Sequence, residues 1–96
     1  MRVIQVALLF TLSASNALAF DIVAYCRQIS DAVGGSYQIE KTCRDQEYRA
    51  KQNIEKMKIP DRITKYCTDV AGAVGGSYNI MEACIKQEAD ALNSLH

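Results

Sequence analysis

This 96-residue chain has no excess of charge of either sign, since it contains 11 Lys and Arg residues and 11 Asp and Glu residues. A protein that holds nucleic acid or anionic lipid through its surface field carries a clear basic excess. We therefore expect no nucleic-acid partner. Membrane-active helices also pair an apolar face with a lysine-rich one, so the balanced charge argues against a lytic peptide.

Histidine is also scarce. The chain has one, His96, at its last position. Nucleophilic catalysis of the Ser/His/Asp or Cys/His type needs a base held beside the nucleophile, and this sequence offers no such set. No phosphate-binding loop follows a strand, and no cofactor motif is present. We predict a protein that is not an enzyme and has no cofactor.

Long apolar runs are confined to the first residues, and the stretch 1–19 has the three parts of a secretory signal peptide. Arg2 supplies the positive start, Val3 to Leu12 the apolar segment, and Ala17-Leu18-Ala19 the small-x-small cleavage site. The alternative, a retained anchor, needs about 20 mostly apolar residues, whereas polar residues follow here after about ten. We expect an exported chain that begins at Phe20 and keeps no stable membrane anchor.

The remaining residues, 20–96, have room for only a marginal apolar core, and they contain all four cysteines of the chain. Small exported domains commonly use disulfides to compensate, in the oxidising periplasm or outside the cell. Structural zinc is the competing use of four cysteines, but it prefers a closely spaced C-x2-4-C pair. Sixteen residues separate Cys26 from Cys43 and Cys67 from Cys84, so we predict disulfides and no metal.

An internal repeat organises this mature region. Residues 25–50 align with residues 66–91 at a constant offset of 41, with 13 identities in 26 positions and no gap. A repeat of this length is typically one supersecondary unit. Two copies are too few for a solenoid, so the units must pack on each other or on a partner.

Each copy has the apolar spacing of a helix on both sides of a glycine pair. Ile22, Cys26, Ile29 and Val33 define one stripe before the first pair, and the second copy repeats it. Glycine closes a helix by adopting a left-handed conformation, and the serine that follows can cap the next helix. The predicted turns are Gly34, Gly35 and Ser36 in one copy, and Gly75, Gly76 and Ser77 in the other.

These turns predict four helices arranged as two tandem antiparallel hairpins. The second helix should run from about Tyr37 to Lys58, before Pro60, and the fourth from Tyr78 to near the C-terminus. The fold class is all-α, with hairpin 1 at residues 20–59 and hairpin 2 at residues 60–96. We expect the two hairpins to pack as one small domain.

The cysteine positions predict which sulfurs join. Cys26 precedes Gly34 by eight residues and Cys43 follows Gly35 by eight, which brings both to the same height in an antiparallel hairpin. Cys67 and Cys84 repeat this symmetry in the second copy. We predict one disulfide within each hairpin, although four cysteines allow three pairings.

Glu47 and Glu88 are repeated carboxylates one helical turn beyond the second cysteine, beside the face that meets the partner helix. Within-hairpin symmetry places Glu47 opposite Ile22 and Glu88 opposite Ile63, at the starts of the first and third helices. There a negative charge can accept bonds from free N–H groups and complement the helix dipole. Helix capping is the favoured interpretation, and a functional acid or cation ligand is the alternative.

Repeated tyrosines and the last helix are the remaining features that can point to binding. Tyr37 and Tyr78 open the second helix of each hairpin, where they either pack over the turn or form a binding edge. The fourth helix has a wide apolar band that suits either the most buried helix of the domain or one that pairs with another chain. The members of this band are Ile80, Met81, Ala83, Ile85, Leu92 and Leu95.

The sequence as a whole predicts a small exported binding or structural protein of the periplasm or extracellular space. Its expected partner is another protein or a second copy of itself. The alternative is a secreted effector or toxin-like protein that acts on a membrane or inhibits a foreign enzyme. No motif of the sequence identifies the ligand.

Overall fold

Four helices and no strand make up residues 19–96, the part of the chain that the computed structural model describes. The all-α prediction is confirmed. Apart from Ala19, the predicted signal peptide lies outside the described residues. The helices are α1 (Ile22–Ala32), α2 (Tyr37–Glu55), α3 (Asp61–Ala73) and α4 (Tyr78–Ser94).

Both predicted glycine turns are present. Gly34 and Gly35 have φ values of 98° and 86°, and Gly75 and Gly76 have φ values of 101° and 87°. This left-handed region suits glycine, which has no Cβ to clash with the backbone. The serine after each pair caps the next helix, as Ser36 Oγ accepts from Ile39 N and Ser77 Oγ from Ile80 N, both at 3.2 Å.

Each hairpin is closed by its own disulfide, as predicted. Cys26 bonds Cys43 and Cys67 bonds Cys84, and both pairs have Cα atoms 5.6 Å apart. Cys26 and Cys67 are fully buried. The sulfur bridges therefore form the centre of each hairpin, in the place that a larger domain would fill with aliphatic side chains.

The buried stripe of α1 differs from the predicted one. Ile22 and Cys26 are buried, but Ile29 is 40% exposed and Val33 is 60% exposed, whereas Ser30 is 2% exposed. A serine is tolerated there because its hydroxyl donates a 2.7 Å hydrogen bond to the Ser36 carbonyl across the turn. Apolar periodicity overlooks a polar residue of this kind.

Helix α2 ends at Glu55, three residues before the predicted end at Lys58. Lys56 N donates to the Asn53 carbonyl and Met57 N donates to the Ile54 carbonyl, at 3.2 and 3.0 Å. These i to i−3 bonds tighten the last turn in the way common at helix C-termini. The chain is thereby redirected before Pro60 opens α3.

The two hairpins meet through their second helices. Helix α1 packs on α2, α3 packs on α4, and α2 packs on α4. The seam between α2 and α4 contains buried apolar side chains of both helices, among them Ala50, Ile54, Met81 and Ile85. Among residues 19–96, no helix is both long enough and apolar enough to span a membrane.

Candidate functional site

The Glu47 carboxylate is the chemically most unusual group of the seam, because it is a buried charge with 3% exposure. One oxygen, Oε1, accepts a 2.6 Å hydrogen bond from Tyr78 N. The other, Oε2, accepts from Ser77 Oγ at 2.7 Å and from Asn79 N at 3.3 Å. Two backbone donors and one hydroxyl thus converge on a single side chain.

These donors belong to the first turn of α4, where backbone N–H groups have no partner within the helix. A carboxylate at this end also complements the positive pole of the helix dipole. Hydrogen bonds to a charged acceptor are stronger than neutral ones, which offsets the cost of burying the charge. Glu47 of hairpin 1 therefore caps the second helix of hairpin 2 and joins the two repeats.

This placement corrects the expectation from within-hairpin symmetry. Glu47 caps α4 of the other hairpin, and α1 is capped by Asp21, whose Oδ1 accepts from Ala24 N at 3.0 Å. Aspartate is among the preferred N-cap residues, so the sequence held this signal just before the apolar stripe. Helix α3 begins after Pro60 and has no side-chain cap.

Glu88, the repeat equivalent of Glu47, occupies a different environment. It is partly buried and lines a groove of about 400 Å³ beside Pro60, Ile63 and Tyr66. It therefore lies near the start of α3, as predicted, but its carboxylate has no hydrogen bond or ion pair within residues 19–96. Equivalent positions of the repeat thus have one fully bonded carboxylate, Glu47, and one, Glu88, without a partner within residues 19–96.

The two tyrosines that follow the glycine turns, Tyr37 and Tyr78, also differ in their environments. Tyr78 is 2% exposed, and its ring lies 4.9 Å from the ring of Phe20. Its hydroxyl accepts a 2.9 Å hydrogen bond from Phe20 N, and Lys51 Nζ lies 5.9 Å from the ring centre. Tyr37 is 89% exposed. Tyr78 is thus part of the seam, and only Tyr37 is free to form a binding edge.

Hairpin 1 holds the second turn of the chain tightly. A Cβ atom at Gly75 would lie 3.4 Å from the Tyr25 ring, and one at Gly76 would lie 3.1 Å from the Phe20 ring. A Cβ atom at Gly34 or Gly35 would meet nothing within 4 Å. The first glycine turn is therefore uncovered on the side where hairpin 1 covers the second.

The exposed start of α2 is polar where the start of α4 is apolar. Glu40 and Arg44 occupy the positions of Met81 and Ile85 in the repeat, and they form an ion pair. Arg27 lies 3.9 Å from the same Glu40 carboxylate. Hairpin 1 thus has a cluster of paired charges where hairpin 2 buries Met81 and Ile85.

A second groove, of about 500 Å³, runs along the seam beside Glu47. Its polar lining includes Gln38, Gln46 and Asn79, whose neutral amides can donate and accept hydrogen bonds. Both Glu47 oxygens already accept bonds from α4, so this carboxylate is held in place as a structural acceptor. The groove therefore offers neutral hydrogen-bonding side chains next to a carboxylate that is already bonded to the start of α4.

Several residues of the seam carried no signal in the sequence. Asn53 donates a 3.0 Å hydrogen bond to Glu82 across the two hairpins, and both look like ordinary surface residues of amphipathic helices. Phe20 is the first residue after the predicted cleavage site, where no periodicity constrains it. Only the tertiary arrangement brings these side chains together.

Within residues 19–96, no three His, Cys, Asp or Glu side chains lie close enough together to hold a metal ion. All four cysteines are in disulfides. Comparisons of the chain with protein-family models, with curated proteins and with solved structures gave no match.

Proposed function

We propose that this chain is a small exported protein that binds another protein or forms part of a structure outside the cytoplasm, without catalysis. The observation that carries the proposal is the surface around Glu88. There Leu92 and Leu95 are 38% and 82% exposed beside a carboxylate that has no partner within the described residues. Exposed apolar side chains bordered by polar groups are typical of protein-binding surfaces.

Disulfides support the export part of the proposal. Two disulfides in a region of this size are expected where the compartment is oxidising, as in the periplasm or outside the cell. The proposed signal peptide at residues 1–19 provides the route. Fractionation of the producing cells, with the protein detected in periplasm or in medium, decides between the two locations.

The non-enzymatic part rests on the environment of Glu47. A general acid or base needs an oxygen free to exchange a proton with substrate, and both Glu47 oxygens accept bonds from the start of α4. Broad substrate profiling tests this directly. Turnover that Glu47→Gln abolishes while the fold is retained would contradict the proposal.

Capture of partners tests the binding role. The mature oxidised protein, used as bait with chemical cross-linking in the envelope fraction or the medium, should retain a defined protein. Leu95→Asp, which places a charge on the exposed apolar surface, should lose it. Gln52→Asp is the matched control, because it adds the same charge at an exposed position of α2.

Absence of any cross-linked protein in either fraction would contradict the binding role. Leakage of lipid vesicles caused by the purified protein would instead support the secreted-effector alternative. The two assays use the same preparation, so they separate the two functions directly.

A further inference from the structure

The seam between the hairpins is formed by a receiving surface on hairpin 1 and a turn of hairpin 2. Because of the repeat, each hairpin has both a surface and a turn of this kind. The receiving surface of hairpin 1 consists of Tyr25, Glu47, Ala50 and Ile54, and the turn that it holds is 75–78. At the offset of 41, hairpin 2 has an equivalent receiving surface. Its members are Tyr66, Glu88, Ala91 and Leu95.

The held turn also has an equivalent, at residues 34–37, with the same Gly-Gly-Ser-Tyr sequence. Gly34 and Gly35 have the left-handed φ values of their counterparts, and Ser36 caps α2 as Ser77 caps α4. The backbone of the free turn therefore already has the conformation of the bound one. Tyr37, at 89% exposure, is uncovered.

The second receiving surface is uncovered as well. Tyr66 is 53% exposed, while its counterpart Tyr25 packs against Gly75. Leu95 is 82% exposed, while its counterpart Ile54 is 6% exposed. Each half of an interface that the chain makes once internally is thus repeated on its surface without a partner among the described residues.

We propose that a second copy of this chain docks its 34–37 turn onto the Tyr66, Glu88, Ala91 and Leu95 surface of the first. Glu88 of one copy then accepts from Tyr37 N, Gln38 N and the Ser36 hydroxyl of the next, as Glu47 accepts at α4. Leu92, which replaces Lys51 in the repeat, meets the Tyr37 ring. This inference rests on the proposed binding or structural role and names its partner.

The contact is head to tail, because each copy uses a different surface at its two ends. Such a heterologous interface builds a closed ring or an open filament, according to the rotation between copies. The contact between successive copies should have the geometry of the seam within the chain. Disulfides within each hairpin keep both surfaces rigid, which lowers the entropy lost on association.

Three differences between the repeats weaken the contact between copies relative to the internal seam. Glu40 and Arg44 replace Met81 and Ile85, so paired charges approach a surface that meets apolar side chains within the chain. Asp61 stands in the place of Phe20, so one aromatic contact is lost. Association between separate chains also lacks the high effective concentration of a tether. We expect reversible assembly with micromolar to millimolar affinity.

Sedimentation of the mature oxidised protein over about 10 µM to 1 mM tests the proposal, since this range covers weak association. Tyr37→Asp blocks the free turn and Leu95→Asp blocks the free receiving surface. Both side chains are exposed, so both variants should keep the wild-type circular dichroism and melting temperature. Gln52→Asp again serves as the charge-matched control.

The wild type and Gln52→Asp should grow in mass with concentration, and each blocked variant alone should remain monomeric. A mixture of the two blocked variants should form a one-to-one pair and stop there, because it contains one intact turn and one intact receiving surface. Only a head-to-tail contact gives this pattern.

A wild type that remains monomeric at the highest concentration would overturn the proposal. So would assembly that survives Tyr37→Asp, or a mixture that does not pair. If copies do not associate but the wild-type bait captures a different protein that Leu95→Asp loses, the binding role stands and self-assembly fails. The two proposals therefore fail separately.

Discussion

The Glu47 carboxylate of the first hairpin accepts a 2.6 Å hydrogen bond from the backbone N–H of Tyr78 in the second. This contact joins two halves that each have their own disulfide and share one narrow seam. Glu88 occupies the equivalent position of the repeat and has no partner among residues 19–96, so substitutions at the two positions can be compared to measure what the bond contributes.

Glu47→Gln should lower the free energy of unfolding by about 1–3 kcal/mol, the range for a buried donor left unsatisfied. The amide keeps one acceptor oxygen but turns an NH₂ group toward the donors of α4. Glu88→Gln should change the stability by less than about 0.5 kcal/mol, as expected for a surface substitution. Urea denaturation of the two single variants measures the difference.

Glu47→Leu removes both acceptors and should cost more than Glu47→Gln. The double variant Glu47→Gln with Glu88→Gln should match the single Glu47 variant, because the two sites share no partner. Equal losses at both positions would mean that Glu88 has a partner in solution, and no loss at Glu47 would refute the capping role.

Gly76→Ala should destabilise the protein more than Gly35→Ala. Both residues have nearly the same φ, 87° and 86°, so the strain of a left-handed alanine, about 1–2 kcal/mol, is common to both. At Gly76 the new methyl group also meets the Phe20 ring at 3.1 Å, and at Gly35 it meets nothing. Thermal melting should rank Gly76→Ala well below Gly35→Ala.

Equal melting temperatures of the two alanine variants would show that Phe20 does not pack on the second turn. The double variant Gly76→Ala with Phe20→Ala is the matched control. It removes the ring that the methyl group meets. Relative to Phe20→Ala alone, Gly76→Ala should then lower the melting temperature by about as much as Gly35→Ala lowers that of the wild type.

Removal of one disulfide by paired Cys→Ala substitution should cost about 3 kcal/mol, the chain-entropy estimate for a loop of this length. The loss should be similar for Cys26 with Cys43 and for Cys67 with Cys84, because both pairs are 17 residues apart in sequence. Denaturant midpoints give the comparison. Non-reduced peptide mapping of the wild type should recover only these two links, and a link between hairpins would contradict the structure.

Exported protein should begin at Phe20, and its intact mass should equal that of residues 20–96. Cleavage at this position leaves Phe20 with a free amino group at the nitrogen that donates 2.9 Å to the Tyr78 hydroxyl. A Phe20→Ala variant should be cleaved at the same place but melt lower, because the ring contact with Tyr78 is lost. An intact mass that includes Met1 would overturn the signal-peptide prediction.

Local features of the sequence are sufficient to define each hairpin. The glycine pairs end α1 and α3 because only glycine adopts their φ values without strain, and the serines cap the helices that follow. Cysteines placed symmetrically about a turn come to the same height in any antiparallel hairpin. Short-range geometry was therefore sufficient to predict four helices and both disulfides.

The way in which the two hairpins pack on each other depends on long-range contacts. Glu47 and Glu88, or Tyr37 and Tyr78, occupy equivalent positions of the repeat, so their own identities do not say which member of each pair is buried. Packing of α2 on α4 buries Glu47 and Tyr78 and leaves their counterparts outside, because a two-unit repeat has one internal seam and two free ends. Local sequence signals thus define the repeated unit, whereas the packing of one unit on the other selects which copy of each residue has a partner.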